Sequence, residues 1–322
     1  MPAILTHDFF ARETVDRAPE LAGDSTDELD AFLLGNQGPD PLFFSVLDPV
    51  CAKSHAMGST MHKEKTSELI FALKDSLDII FDEDDQRLAR AYAHGFIGHY
   101  SLDSLAHPLI YAQQYALCDA GIDGLTRASS HEVHATIESE LDEMMLFTRR
   151  GETIRTYKPV EHTLLANDRT LRVVSLMYSY MALAVYGKTV PDDLFTRSVR
   201  AYRNCLRLMY SPGSGKRVVI SNLERLVREH SFYNAISHEA VERTESVFEN
   251  RDHRTWKNPF TGLTSNASFP ELLERAQAAT LGRIAAFDRD DFSEEAARTF
   301  TQDLNFDGKP SGALLLSVEN AE

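Results

Sequence analysis

Three residues spaced four apart, His99, Asp103 and His107, lie within Gly95-Phe96-Ile97-Gly98-His99-Tyr100-Ser101-Leu102-Asp103-Ser104-Leu105-Ala106-His107. A four-residue step turns a helix by about 40° and raises it by about 6 Å, so the three side chains share one quadrant. Leu88, Tyr92 and Phe96, at steps of three or four, put an apolar stripe on the same face, and the polar trio therefore points inward. An ionised carboxylate buried there is costly unless a cation or strong donors meet it. Neutral imidazole and carboxylate oxygen approach a divalent metal at about 2.0–2.2 Å, so a metal ion supplies the missing counter-charge.

A second segment repeats the device. His134 and Glu138 are four apart, and Leu141 and Met145 extend their stripe. His131 and Asp142 flank this pair and compete for the same role; the repeated four-residue spacing favours His134 and Glu138. A single histidine of this kind is most simply a hydrogen-bonded core residue, but two helices carrying such pairs reverse that judgement. Loops add His7 in Leu5-Thr6-His7-Asp8-Phe9-Phe10, Asp40 after Gly38-Pro39, and His62 in Met61-His62-Lys63. Of the twelve histidines, His94 lies five residues before His99 and points about 140° away, as a structural residue would. His55 reads as a surface or supporting residue. His162, His230, His238 and His253 have no carboxylate at a persuasive spacing and read as structural.

The elements that position these residues read as helical, and an all-α fold is expected. The acidic run Asp82-Glu83-Asp84-Asp85 suits the N-terminus of the first helix, where the helix dipole favours negative charge. Ser129 with Glu132 predicts a capping box opening the second, which continues to about Arg149. Further helices are expected over 7–20, 60–80, 168–187, 191–210, 217–232, 234–249, 269–287 and 292–303. Loops are expected at Gly35 to Pro41, Gly151 to Pro159, Pro212 to Gly215 and Asp252 to Ser268. The β-branched clusters Val218-Val219-Ile220 and Thr189-Val190 lack hairpin partners. Ser211-Pro212-Gly213-Ser214-Gly215-Lys216 lacks the glycine spacing, the hydroxyl after lysine and the preceding strand of a phosphate loop, and reads as a connection.

At 322 residues the chain exceeds the size at which single cores stop growing, about 250–300 residues. We expect a helical metal-binding domain over 1–210 and a helical C-terminal portion over 211–322, packed on the first. The formal net charge of −16 disfavours long nucleic acids and anionic surfaces unless a local site reverses the sign. Three widely spaced cysteines suggest neither a disulfide framework nor a thiolate zinc site. The opening residues lack a signal-peptide pattern and no window is apolar enough for a membrane span, so a cytoplasmic setting is expected.

Taken in order, Thr6-His7, Leu34-Gly35-Asn36-Gln37-Gly38-Pro39-Asp40, Met61-His62, the Gly95–Asp103 segment with His107-Pro108, and His134-x-x-x-Glu138 resemble the zinc-dependent phospholipase C family. The helical fold of that family is shared with P1/S1-type nucleases, and the likeness extends to the N-terminal domain of glycosylphosphatidylinositol-specific phospholipase D. Trp256-Lys257-Asn258-Pro259 is the best later anchor. The resemblance implies a compact multi-helix catalytic domain with a helical extension, and two or three zinc ions. Asp40, His62, His99 and Asp103 would form one site. Asp103 would bridge to a second ion that His7 also binds, and His107, His134 and Glu138 would hold a third. In secreted relatives the second ion is completed by the processed N-terminus; here six residues precede His7, and Pro2 is the candidate substitute.

Such a cluster would explain how an acidic protein attracts a phosphodiester. Three divalent ions bring about +6 and three carboxylates remove half of it, leaving a local positive centre. Paired metals lower the pKa of a bound water and stabilise charge on phosphoryl oxygens. Asp40, or the bridging hydroxide, would take the proton of the attacking water. Phe43 and Phe44 wall the pocket or belong to the core. The expected function is phosphodiester hydrolysis with a phospholipid or its soluble head-group derivative as substrate. The alternatives are a nuclease or 3′-nucleotidase with the same metals, and a non-catalytic zinc-binding helical protein.

Overall fold

The computed structural model describes residues 3–121, 125–209 and 238–311. Its α-helices are α1 (Ile4–Arg17), α2 (Thr26–Gly35), α3 (Ala56–Lys63), α4 (Thr66–Asp75), α5 (Glu83–Cys118), α6 (Ser130–Arg150), α7 (Ile154–Tyr157), α8 (Asp168–Tyr186), α9 (Leu194–Met209), α10 (Phe269–Phe287) and α11 (Glu294–Thr301). Among the described residues the only strands are β1 (Trp256–Lys257) and β2 (Thr264–Ser265), an antiparallel pair inside the expected 252–268 loop. The all-α expectation therefore holds. No helix of the described residues is long and apolar enough to cross a membrane.

Helix α5 is the axis of the fold. The Asp82 carboxylate accepts the amides of Asp84 and Asp85 at 3.0 Å each, and three further acids fill the first turn, as the dipole requires. Its 36 residues outlast the apolar stripe that Leu88, Tyr92 and Phe96 begin, and all three are buried. Helices α2, α6, α8 and α10 pack around it. The crossing with α2 is close: a Cβ at Gly95 would stand 2.1 Å from the Phe32 carbonyl oxygen, and one at Gly35 would stand 2.2 Å from that of Tyr92. Two facing glycines let these backbones touch, which lays the Asn36–Asp40 loop against the middle of α5.

Several expectations need correction. The first helix begins at Ile4 rather than residue 7, because a remote carboxylate, Asp142, caps it by accepting the amides of Leu5 and Thr6. It stops at Arg17 because Ala18 precedes Pro19, which disfavours helical geometry. The 60–80 helix is two, α3 and α4, broken where Lys65 adopts φ 54° and its Nζ donates to the Val185 carbonyl. Helix α2, opened by a Ser25–Glu28 capping box, and the 3₁₀ turn Asp40–Leu47 were not anticipated. The box expected from Ser129 and Glu132 does not form; Thr126 and Ser129 cap a short 3₁₀ turn ahead of α6 instead. Of the helix expected over 234–249, the described residues form only a 3₁₀ turn, Val247–Glu249. The preceding stretch is drawn out along α6, where Arg243 pairs with Glu140 and Glu143. The 217–232 helix, the 211–216 connection, Val218-Val219-Ile220, Pro2 and His230 lie outside the described residues.

The glycine contact yields a paired prediction. Gly95→Ala should destabilise the chain by about 1–3 kcal/mol through overpacking. Gly282→Ala, on open helix surface with nothing near its Cβ position, should stabilise it by about 0.5–1 kcal/mol. Denaturant unfolding of the two variants measures both, and equal effects would refute the contact.

Candidate metal centre

Seven of the eight candidate residues ride on helices: His7 on α1, His62 on α3, His99, Asp103 and His107 on α5, and His134 and Glu138 on α6. Asp40 opens the 3₁₀ turn that follows the α2–α5 contact. All eight converge. Seven line one cleft of about 1170 Å³, and His99 lies buried behind it. Donor atoms fall within 4.8 Å of one another in three sets: His62 with His99 and Asp103; His107 with His134 and Glu138; and His7 with Asp40 and His99. Asp103 sits between sets, with Oδ1 3.1 Å from His7 Nε2 and Oδ2 3.3 Å from His99 Nε2.

The imidazoles are aimed by their far nitrogens. His62 Nδ1 is 2.7 Å from the Gly58 carbonyl oxygen, His107 Nδ1 2.9 Å from that of Phe306, His99 Nδ1 3.1 Å from that of Asn36, and His134 Nδ1 2.7 Å from Gln114 Oε1. Each of these oxygens can only accept, so each ring carries its hydrogen on Nδ1 and, when neutral, turns a bare lone pair on Nε2 inward. What faces those lone pairs is carboxylate oxygen. Asp40 Oδ1 is 3.0 Å from His62 Nε2, and Glu138 Oε1 is 3.3 Å and 3.4 Å from His134 and His107. His99 Nε2 is buried and makes no hydrogen bond.

Acceptor against acceptor at these largely buried positions calls for a donor or a cation between them. Protons serve only part of the site. Burial opposes charge on His107, but Asp103 and Glu138 outweigh it and push its pKa up to about 10. Burial, helped by His7 and only partly offset by Asp103, pushes His99 down to about 3, and burial likewise lowers His134 despite Glu138. The carboxylates stay ionised: against the cost of burial, His62 holds Asp40 at about 2, neighbouring imidazoles hold Asp103 well below its ordinary value, and Glu138 also lies well below its own, with His134 and His107 contributing. Rings that refuse a proton beside acids that will not take one fit a metal cation, and imidazole nitrogen with carboxylate oxygen is a donor set suited to zinc.

A family model described as "Zinc dependent phospholipase C" matches residues 6–188, more than half the chain. The chain belongs to the zinc-dependent phospholipase C family. All eight candidates fall inside the matched residues. Nothing among the curated proteins or the solved structures matches the chain. Membership of the zinc-dependent phospholipases C makes the chain one of a family of metal-dependent, phospholipase-like hydrolases, and the histidine and carboxylate sets are compatible with zinc.

The competing residues lie elsewhere. His131 is exposed on the cleft rim. Asp142 is fully buried and accepts from Leu5 N, Thr6 N and His238 Nε2 at 3.0, 2.7 and 3.0 Å, which fixes the helix end that carries His7. His238, read from sequence as lacking a carboxylate partner, is thus corrected: its partner is 96 positions away. His94 is structural as expected, bonded to Asp288 and the Leu21 carbonyl. Phe43 lines the cleft 5.1 Å from His62, while Phe44 stacks on Tyr202 in the core. Gln114 and Tyr111 were missed although they lie seven and four residues past His107 on the same face of α5, a detectable spacing. Phe306 and Asp307 carried no such local signal.

Two outcomes follow. Asp142→Ala, by orphaning two buried amides and the His238 ring, should cost about 3 kcal/mol in denaturant unfolding. In chelator-treated protein, the contribution of His107 is present in full below its ordinary value of 6.5 and is lost as pH rises through about 10. The thermal midpoint of that metal-free protein should therefore fall across this window, and zinc should flatten the dependence. A metal-free midpoint that rises there would contradict the assignment.

Proposed function

We propose that the chain is a zinc-dependent phosphodiester hydrolase acting on the head-group phosphodiester of a phospholipid or on its soluble derivative. The observation that carries this is the set of Nδ1-pinned imidazoles whose Nε2 atoms face ionised carboxylates across an open cleft. We assign Asp40, His62, His99 and Asp103 to one zinc, His7 and Asp103 to a second, and His107, His134 and Glu138 to a third, with two or three ions bound. Bound zinc acts as a Lewis acid, acidifying water and neutralising charge on the phosphoryl oxygens.

The protein's own part is aim and exclusion. The third set offers three donors and opens to the cleft, the pattern of a catalytic rather than a closed structural site, and this weighs against a purely structural role for the metal. Asp40, held ionised beside His62, is our assigned acceptor for the proton of the attacking water. Phe43 on one side and Tyr111 with Phe260 on the other give the cleft apolar walls against which a lipid backbone can lie.

The nuclease reading has one observation in its favour, the aromatic residues on the cleft wall. Tyr111, however, packs between His134 and Phe260, and Arg127 lies 3.9 Å over the ring of Tyr115. These rings are engaged within the protein, unlike a base-stacking platform, and the charge of −16 opposes a polynucleotide.

The test is metal analysis combined with a substrate panel of phospholipid vesicles, a soluble phosphodiester, single-stranded nucleic acid and a 3′-mononucleotide. Purified protein should contain zinc and hydrolyse the first two, lose activity to a chelator and regain it with Zn²⁺. Asp103→Ala and His99→Ala should each lower kcat/KM by at least about 10²-fold. Full activity in the double variant would sink the proposal, and exclusive turnover of nucleic acid or mononucleotide would transfer it to the nuclease reading.

A further inference from the structure

We propose that residues 304–311 form a positioning strap for the metal centre, in which Tyr111 and Asp307 orient His134 and His107. The strap lies far beyond the matched residues 6–188 and rests on the zinc reading above. Its shape is fixed by its own turn. Asn305 N donates to the Lys309 carbonyl at 2.9 Å, Asn305 Oδ1 accepts the amides of Asp307 and Lys309 at 3.0 and 2.9 Å, and Gly308 N donates to the Asn305 carbonyl. Tyr100 Oη ties the entry by donating to the carbonyls of Thr301 and Leu304. Gly308 lies so close to α5 that a Cβ there would stand 2.5 Å from the Ser104 carbonyl oxygen.

The contacts of this turn fall on the centre itself. Phe306 is fully buried, with its ring 5.0 Å from that of His62 and 5.7 Å from that of His99. Its amide donates to the His62 carbonyl at 3.2 Å, and its carbonyl accepts His107 Nδ1–H at 2.9 Å. Asp307 Oδ1 accepts the Tyr111 hydroxyl at 2.9 Å, and the Tyr111 ring lies 4.9 Å from His134 and 6.0 Å from His107. Phe306 therefore meets three of the five candidate imidazoles, and Tyr111 relays the strap to a fourth, His134. The partner of His107 Nδ1 is a main-chain oxygen, so the direction of Nε2 is set by where the strap runs. Groups that orient a ligand's ring from outside the coordination sphere act on metal affinity.

The experiment uses the full chain as wild type, Tyr111→Phe and Asp307→Asn. Zinc dissociation is followed by competition with a chromogenic chelator, and cobalt-loaded samples are compared by their visible d–d absorption. Loss of the Tyr111–Asp307 bond should weaken one of the bound ions by about 10–100-fold and shift one component of the cobalt spectrum, leaving the other ions and the unfolding midpoint of the metal-free chain unchanged. Unchanged affinities and spectra in both variants would overturn the proposal, as would equal weakening of every ion with lost stability, which marks packing alone. Tyr111→Phe retains the ring and decides the matter should Asp307→Asn not fold. A wild-type chain that binds no zinc would instead overturn the metal reading, and that result is seen before any variant is compared.

Discussion

Imidazole lone pairs held against ionised carboxylates at largely buried positions along one cleft are the constraint around which this molecule is organised. Each ring is locked by a bond on Nδ1, to main-chain oxygen for His62, His99 and His107 and to Gln114 for His134, so none can rotate to relieve the opposition. Burying such an arrangement without compensation is expensive, because low dielectric strengthens repulsion as much as attraction. A fold that retains it spends stability on a site, and the surrounding helices are what make the expense tolerable.

Those helices divide the work. Helix α5 supplies His99, Asp103 and His107 in one row, with spacing fixed by helix geometry rather than by loops. Its rigidity comes from burial on several sides, and the facing glycines bring the Asp40 loop within reach. Helix α6 does two jobs. Glu138 looks into the cleft, while Asp142, one turn on, caps α1 and thereby places His7. A single helical turn thus separates a site carboxylate from a supporting one, and substitutions in α6 act on the centre by two routes.

That double use explains what sequence could reveal. The α5 row and the His134–Glu138 pair were legible because a polar triad on an apolar stripe is a periodic, local pattern. Asp142 fits the same period as Glu138, and only tertiary structure assigns it to an amide pair over a hundred residues away. The Ser25–Glu28 box of α2 was present in the sequence but preceded too short a helix to stand out. The segment over 238–249 has helical composition, yet its described residues trade that for Arg243 and His238 contacts to acids on α6, a tertiary override of local propensity. Phe306 acts on His107 through a carbonyl, which every residue type possesses, so its identity carried no sign of the role.

The charge distribution closes the account. An overall charge of −16 sets a field that disfavours phosphate ligands at long range. Over distances beyond about 8 Å that field is screened at physiological salt, so what a diester meets inside the cleft is decided by the charges lining it. Asp40, Asp103 and Glu138 are there chiefly as ligands in our reading, and each is neutralised by what it binds. Some of the surface acids, by contrast, are held in pairs such as Arg169 with Asp82 and Asp85, or cap helix termini. Acidity at the surface and electrophilicity in the cleft are therefore separable properties, and the first places no limit on the second.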